Sequence, residues 1–235
     1  RDLAESDLVL PVDDKKITML DIEKHLISGA TPIVFVDGHL SDDLSNLEYV
    51  ESGLTIKSVS EFNENSSASS MLHGFSALNA AFAVSGVEIK VSKETSLADT
   101  VQILHVCTGG SKVAFVRNEV SVATGSKLNL VESFITLSEV VGESLQCSHI
   151  SLDVSESGLL SHVRIQSRSA EQTDVSTVDT HVAKAATYKT FTFTCSGKIT
   201  RNNLSIILAG EAAHTELLGL SVAKDSQHID SFTNV

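Results

Sequence analysis

Four segments of the chain repeat one pattern. Residues 122–131, 154–163, 182–191 and 208–217 each open on an aliphatic residue (Val122, Val154, Val182, Leu208). Each places a small residue four positions later (Ser126, Gly158, Ala186, Ala212) and then runs into an extended apolar stretch. The starts lie 32, 28 and 26 positions apart. A turn followed by a β-prone run, recurring at this interval, marks one coil of a stacked β structure. Such a coil cannot bury its apolar face alone and needs neighbours above and below.

Pattern and proline usage predict a mainly β chain, a parallel β-helix with a small N-terminal α/β region. Only Pro11 and Pro32 interrupt 235 residues, so everything after residue 32 is free to donate to continuous ladders. Parallel strands joined by crossovers are right-handed in nearly all cases because of strand twist, so a right-handed helix is expected. A jelly roll or sandwich is the competing architecture, since spacings of 26 to 32 also suit long hairpins. At the coil corners the small residues Ser126, Gly158, Ala186 and Ala212 are expected to be too confined for a leucine.

Before the coils, Met19 to Ile27 carries apolar residues at helical spacing, with Thr18 or Asp21 to cap it and Gly29 to stop it. The run Ile33-Val34-Phe35-Val36, then Asp37-Gly38, then His39-Leu40, reads as a hairpin. Residues 57–61 are a candidate start for a second helix, and the Asn/Ser-rich stretch 63–70 reads as a linker. The division is therefore 1–74 for the α/β region and linker and 75–235 for the β-helix core. Residues 75–82 are helix-forming and are expected to plug one end of that core. The chain starts on Arg1 and stops in the strand-like run from Ile229 to Val235, so it is expected to be a piece of a longer protein with an incomplete core.

Charge narrows the partners. Seventeen Lys and Arg against 30 Asp and Glu give −13, which repels a nucleic-acid backbone or an anionic lipid surface. No stretch reaches the ~20 apolar residues of a membrane helix, so neither nucleic acid nor membrane is an expected partner. Cys107, Cys147 and Cys195 are odd in number and widely spaced, which fits a reducing compartment and no closed zinc site.

His105, His149, His162, His181, His214 and His228 lie in or beside predicted strands without a recognised ligand spacing. The plain reading is single histidines on mixed sheet faces. Cys147 and His149, at i and i+2, share one face of a strand and are the sharpest local metal or thiolate candidate. A lone Cys is nevertheless more often a small buried hydrophobe, and no resident metal is expected in the isolated chain. Thr108-Gly109-Gly110-Ser111 lacks the Gly-Lys-Ser/Thr of a phosphate loop and reads as a turn. Ser76 and Ser126 lie in no nucleophile elbow, so no catalytic residue is assigned and no enzyme is expected. Arg201 is read as pairing with an acid on a neighbouring coil rather than holding an anion.

Several pieces together resemble the SufB/SufD family of iron–sulfur cluster assembly proteins, on its SufD side. They are Gly74-Phe75-Ser76-Ala77-Leu78-Asn79-Ala80-Ala81-Phe82, Val101-Gln102-Ile103-Leu104-His105-Val106 ending in Thr108-Gly109-Gly110, Arg117-Asn118 and Leu130-Val131-Glu132. Arg201-Asn202-Asn203-Leu204, Ala209-Gly210-Glu211, Leu218-Gly219-Leu220 and Gln227-His228-Ile229-Asp230 continue the likeness, and Val34 to Gly38 with Leu44-Ser45 resembles the strand and turn before the core.

The resemblance implies a right-handed parallel β-helix flanked by helical regions and a non-enzymatic role. It implies pairing with SufB and the ATPase SufC, self-pairing in some members, and a cluster held only in the assembled complex. In that family the ATPase contact and the cluster-associated His lie beyond the position matching Val235, so none of those residues carries over. Cytoplasm is the expected location, with a plastid stroma equally compatible in a eukaryote. The rival readings are a β-helix carbohydrate-active enzyme and a structural adaptor. The first is disfavoured by the absence of Trp, by only two Tyr and by scattered acids.

Overall fold

The computed structural model describes residues 17–48, 53–60, 74–137, 142–195 and 197–235. Helix α1 (Met19–Ile22) is followed by a 3-10 turn (Glu23–His25), so the first helix is shorter than its apolar spacing suggests. Thr18 and Asp21 form its capping box. The hairpin is present as β1 (Thr31–Val36) and β2 (His39–Leu40), paired antiparallel around Asp37-Gly38. Both turn residues have positive φ, 48° and 88°, the requirement of a two-residue hairpin loop. A Cβ on Gly38 would lie 2.8 Å from Ala114 Cβ, so this position needs glycine twice over.

Of the predicted helix start at 57–61, residues 57–59 belong to a strand instead, and Glu61 lies outside the described residues. Leu54-Thr55-Ile56 alternates buried and exposed residues within β3 (Leu54–Val59), and that period of two prevails. The predicted linker 63–70 lies outside the described residues. Helix α2 (Gly74–Phe82) forms where expected but does not plug an end.

From β4 (Gly86–Val91) onward the chain winds. The remaining strands are β5 (Ser96–Cys107), β6 (Val113–Val122), β7 (Lys127–Thr136), β8 (Ser144–Val154), β9 (Leu159–Ser167), β10 (Gln172–Val182), β11 (Thr187–Thr194), β12 (Ile199–Leu208), β13 (His214–Ser221) and β14 (His228–Asn234). They alternate between two seven-stranded sheets, ordered β13-β11-β9-β7-β5-β1-β2 and β14-β12-β10-β8-β6-β4-β3. All pairings among β4 to β14 are parallel, and β1 joins β5 in parallel as well. This is a parallel β-helix of five β5–β6-type coils, with β1 to β4 extending the two sheets at one end.

The sequence repeat is the coil. Val122, Val154, Val182 and Leu208 are register partners on successive strands, and so are Val131, Val163, Phe191 and Leu218. The fourth repeat closes on Leu218 rather than Leu217 because the turn 209–213 holds one more residue than its predecessors. Ser126, Gly158 and Ala186 are buried at the corners, with backbone N–H groups returning to Ala123, Ser155 and Ala183. The extra residue makes Ala213 their counterpart, its N–H returning to Gly210, and leaves Ala212 exposed with φ 58°.

The lumen of the early coils is a dry stack that includes Ile33, Ile89, Ile103, Val120, Leu130 and Leu152. Each fully buried side chain of this size contributes about 1.5–3 kcal/mol of transfer free energy. A second cluster, with Ile22, Leu44, Leu104 and Ile135, seats α1 on the outer face of the first sheet. Helix α2 covers part of the outer face of the second. Asn79 Nδ2 donates to the carbonyls of Val116 and Cys147 at 3.0 and 2.9 Å, and Phe82 stacks on Phe115 at 5.5 Å.

Candidate functional site

In the middle coils the lumen changes from apolar to polar. On β9, His162, Arg164 and Gln166 face inward and are buried, while Val163 and Ile165 face outward. The sheet twist and the register with β7 place these three beside Glu132 and Phe134, also inward and buried. Large polar side chains buried here avoid most of the cost of desolvation by pairing with one another.

Glu132 is the centre. Its Oε2 accepts from Arg164 Nε and from His162 Nε2, each at 3.0 Å. His105 Nε2 lies 3.5 Å from Oε1. Burial alone would raise the Glu132 carboxyl, but the Arg164 guanidinium and the two imidazoles outweigh it and hold the group well below the usual carboxylate range. The ionised carboxylate requires His162 Nε2 to donate, so Nδ1 of the neutral ring accepts from the Tyr188 hydroxyl at 3.1 Å. Burial lowers both His105 and His162 more than Glu132 raises them, keeping the rings neutral. Burial also pushes Tyr188 up to about 12.

The network continues along the lumen. Thr194 Oγ1 donates to Gln166 Oε1 at 2.6 Å, and Gln166 Nε2 donates to Asn202 Oδ1 at 3.0 Å. Arg168 lies 3.3 Å from Asp174 and donates to Gln146 and to the Ile135 carbonyl. Burial raises Asp174 against the pull of Arg168. Phe35, His105 and Phe134 stack in register at 5.4 and 4.5 Å, and Arg164 and Arg168 each lie 5.5 Å from the Phe134 centroid. Cys107 closes the cage against Gln172 and Ser144.

The remaining candidates are scattered. Cys147 and His149 do share an outward face of β8, but they serve different partners. Cys147 Sγ lies under α2 and donates to the Phe75 carbonyl at 3.5 Å, and burial pushes its thiol up to about 12, so it is no thiolate. His149 Nδ1 accepts from Arg117 at 3.2 Å, and Nε2 faces Asp179 at 3.2 Å and Ser151 at 3.3 Å. Serine and carboxylate meet the same ring nitrogen, which is not the relay of a nucleophilic triad.

His181 pairs with Asp153 on the surface, and His214 and His228 are exposed. Arg201 pairs with Asp230 on the next coil and donates to Asn203, the structural role read for it. Residues 108–111 form a turn in which Thr108 and Lys112 bind Asp37. Ser126 donates to the Ser92 carbonyl, and Ser76 lies 3.4 Å from Thr177. Among the described residues no group of three His, Cys, Asp or Glu could hold a metal ion.

Residues 105–235, more than half of the chain, match the family model described as SUF system FeS cluster assembly, SufBD core domain. The matched stretch begins at His105 inside the cage and runs through all the later coils. A comparison with curated proteins found no match.

Proposed function

The chain belongs to the SufB/SufD core family of the SUF system for iron–sulfur cluster assembly, and from that membership we propose that it is the SufD-type, non-catalytic scaffold subunit. In this reading it pairs with SufB and with the ATPase SufC, supports formation of the nascent cluster as cargo and aids its transfer to acceptor proteins. It carries no resident cofactor as an isolated chain, also pairs with a second copy of itself, and works in the cytoplasm.

The family match over the coils is the observation that carries the proposal. Two features support it. The lumen cage ties successive coils together through buried ion pairs and hydrogen bonds, which suits a stiff rod that transmits force. The outer face of the first sheet carries Ile165, Phe191, Leu218 and Leu220, each more than a third exposed, a surface suited to protein contact.

Co-expression with SufB and SufC, affinity capture through this chain and quantification of both partners test the reading. Stoichiometric SufB, with SufC retained when SufB is present, is the expected result. Capture of neither partner removes the subunit assignment.

A further inference from the structure

The outer face of the first sheet has two levels. Val34, Leu104, Ser133, Ile165, Phe193 and Leu220 form one row in register across it, and Val131, Val163, Phe191 and Leu218 form the row beside it. Over β1, β5 and β7 this face is roofed by residues 17–27, seated through Ile17, Ile22 and Leu26. The Ile27 N–H donates to Gln102 Oε1, and Gln102 Nε2 donates to the His25 carbonyl, each at 2.9 Å, which pins the end of the roof onto β5. Over β9, β11 and β13 the same rows are bare among the described residues, with Leu218 57% and Leu220 51% exposed.

The roof is apolar on its outer side as well. While Ile22 is buried against the sheet, Met19, Leu20 and Ile27 are exposed, Leu20 by 78%. One face of the molecule therefore carries a raised apolar roof, one helix layer or ~10 Å high, beside a recessed apolar floor. Charge singles out the same face. A net charge of −13 opposes association of two copies over most of the surface. The outward positions of β9, β11 and β13 hold one acid and one base, Glu216 and Lys189, and these pair at 3.2 Å at the border of the floor.

We propose that a second copy of this chain covers this face, the roof of each copy resting on the floor of the other. A two-fold axis running along the strands at the step between β7 and β9 brings this about. It turns the second β-helix end for end, so that β13 of each copy lies opposite α1 of its partner. The contact is isologous and closes on itself, adding no further copies. A helix from a different protein would fill the floor and leave the roof bare, whereas a copy with the same step fills both. The contact joins faces, so the edges of β13 and β14 stay free. It gives a surface to the self-pairing proposed above and rests on that reading.

Sedimentation velocity of the full chain over a series of concentrations tests the contact, and a reversible dimer is the expected result. Leu218→Asp, on the floor, and Leu20→Asp, on the roof, should each weaken the dimer about 100-fold, the loss typical of a disrupted apolar hot spot. Both positions are more than half exposed, so neither variant threatens the fold. Ile207→Asp, exposed on the outer face of the second sheet, should leave the dimer unchanged. Monomer at every concentration would leave the floor to a helix of another protein and would overturn both this contact and the self-pairing reading. A dimer that survives either Leu218→Asp or Leu20→Asp, or that is lost equally with Ile207→Asp, would overturn the contact and leave the self-pairing reading standing.

Discussion

His162 Nε2 and Glu132 Oε2 meet at 3.0 Å inside the lumen, joining two successive coils of the first sheet through side chains that are both fully buried. A contact of this kind is asymmetric. Made, it roughly offsets the desolvation of its members; broken from one side, it leaves a buried charge without compensation.

Glu132→Ala should therefore destabilise the protein by about 3–5 kcal/mol, since it strands the Arg164 guanidinium. Glu216→Ala, which removes the solvent-exposed partner of Lys189, should cost less than about 1 kcal/mol. Urea unfolding midpoints of the two variants distinguish these outcomes, and equal losses would show that Glu132 is not the keystone of the cage.

Stability should fall on mild acidification. His105, His149 and His162 are held neutral by burial, so below about pH 6.5 the unfolded chain binds protons that the folded chain does not. Each contributes a slope of up to about 1.4 kcal/mol per pH unit, with the folded state losing ground as pH drops. Glu132, depressed when folded, adds its own loss at lower pH, beneath the ordinary carboxylate range. The slope of unfolding free energy between pH 7 and 5.5 should flatten in His162→Gln, and an unchanged slope would contradict the assignment of a neutral ring.

The coil was legible in the sequence because one event, a corner followed by an apolar run, recurs at positions that become register partners. The cage was not, although its histidines stand in predicted strands. Along β9 the usual polarity is inverted: Val163 and Ile165 point outward and His162, Arg164 and Gln166 inward. Alternation shows which residues share a face but not which face is the lumen. Glu132 carries no local signal of its own, because its partners His105, His162 and Arg164 lie 27 to 32 residues away. Helix α2 was visible from composition, yet its seat depends on Asn79 reaching strand carbonyls, which no local pattern encodes.

At the corners, Ser126→Leu, Gly158→Leu and Ala186→Leu should each destabilise by about 1–3 kcal/mol through overpacking. A Cβ on Gly158 would already meet the Ser155 carbonyl at 2.9 Å. Ala212→Leu should change the unfolding midpoint much less, since the extra turn residue moves that position into solvent. A loss at residue 212 equal to the other three would put the insertion elsewhere in the turn.

Thiol chemistry separates the three cysteines by burial. Cys147 sits under α2 with its thiol pushed up to about 12, and Cys107 is enclosed by Gln172 and Ser144, whereas Cys195 is half-buried. The thiolate is the reacting species, so a disulfide reagent at pH 8 should modify Cys195 first and reach Cys147 only when the helix lifts or the chain unfolds. Mass mapping of the modified peptides over time should give one fast site, and Cys195→Ser should abolish it. Weakening the seat of α2 with Asn79→Ala, which removes the donor to both strand carbonyls, should bring Cys147 into the reactive set without exposing Cys107. Simultaneous exposure of both would mean that α2 and the coils open as one unit.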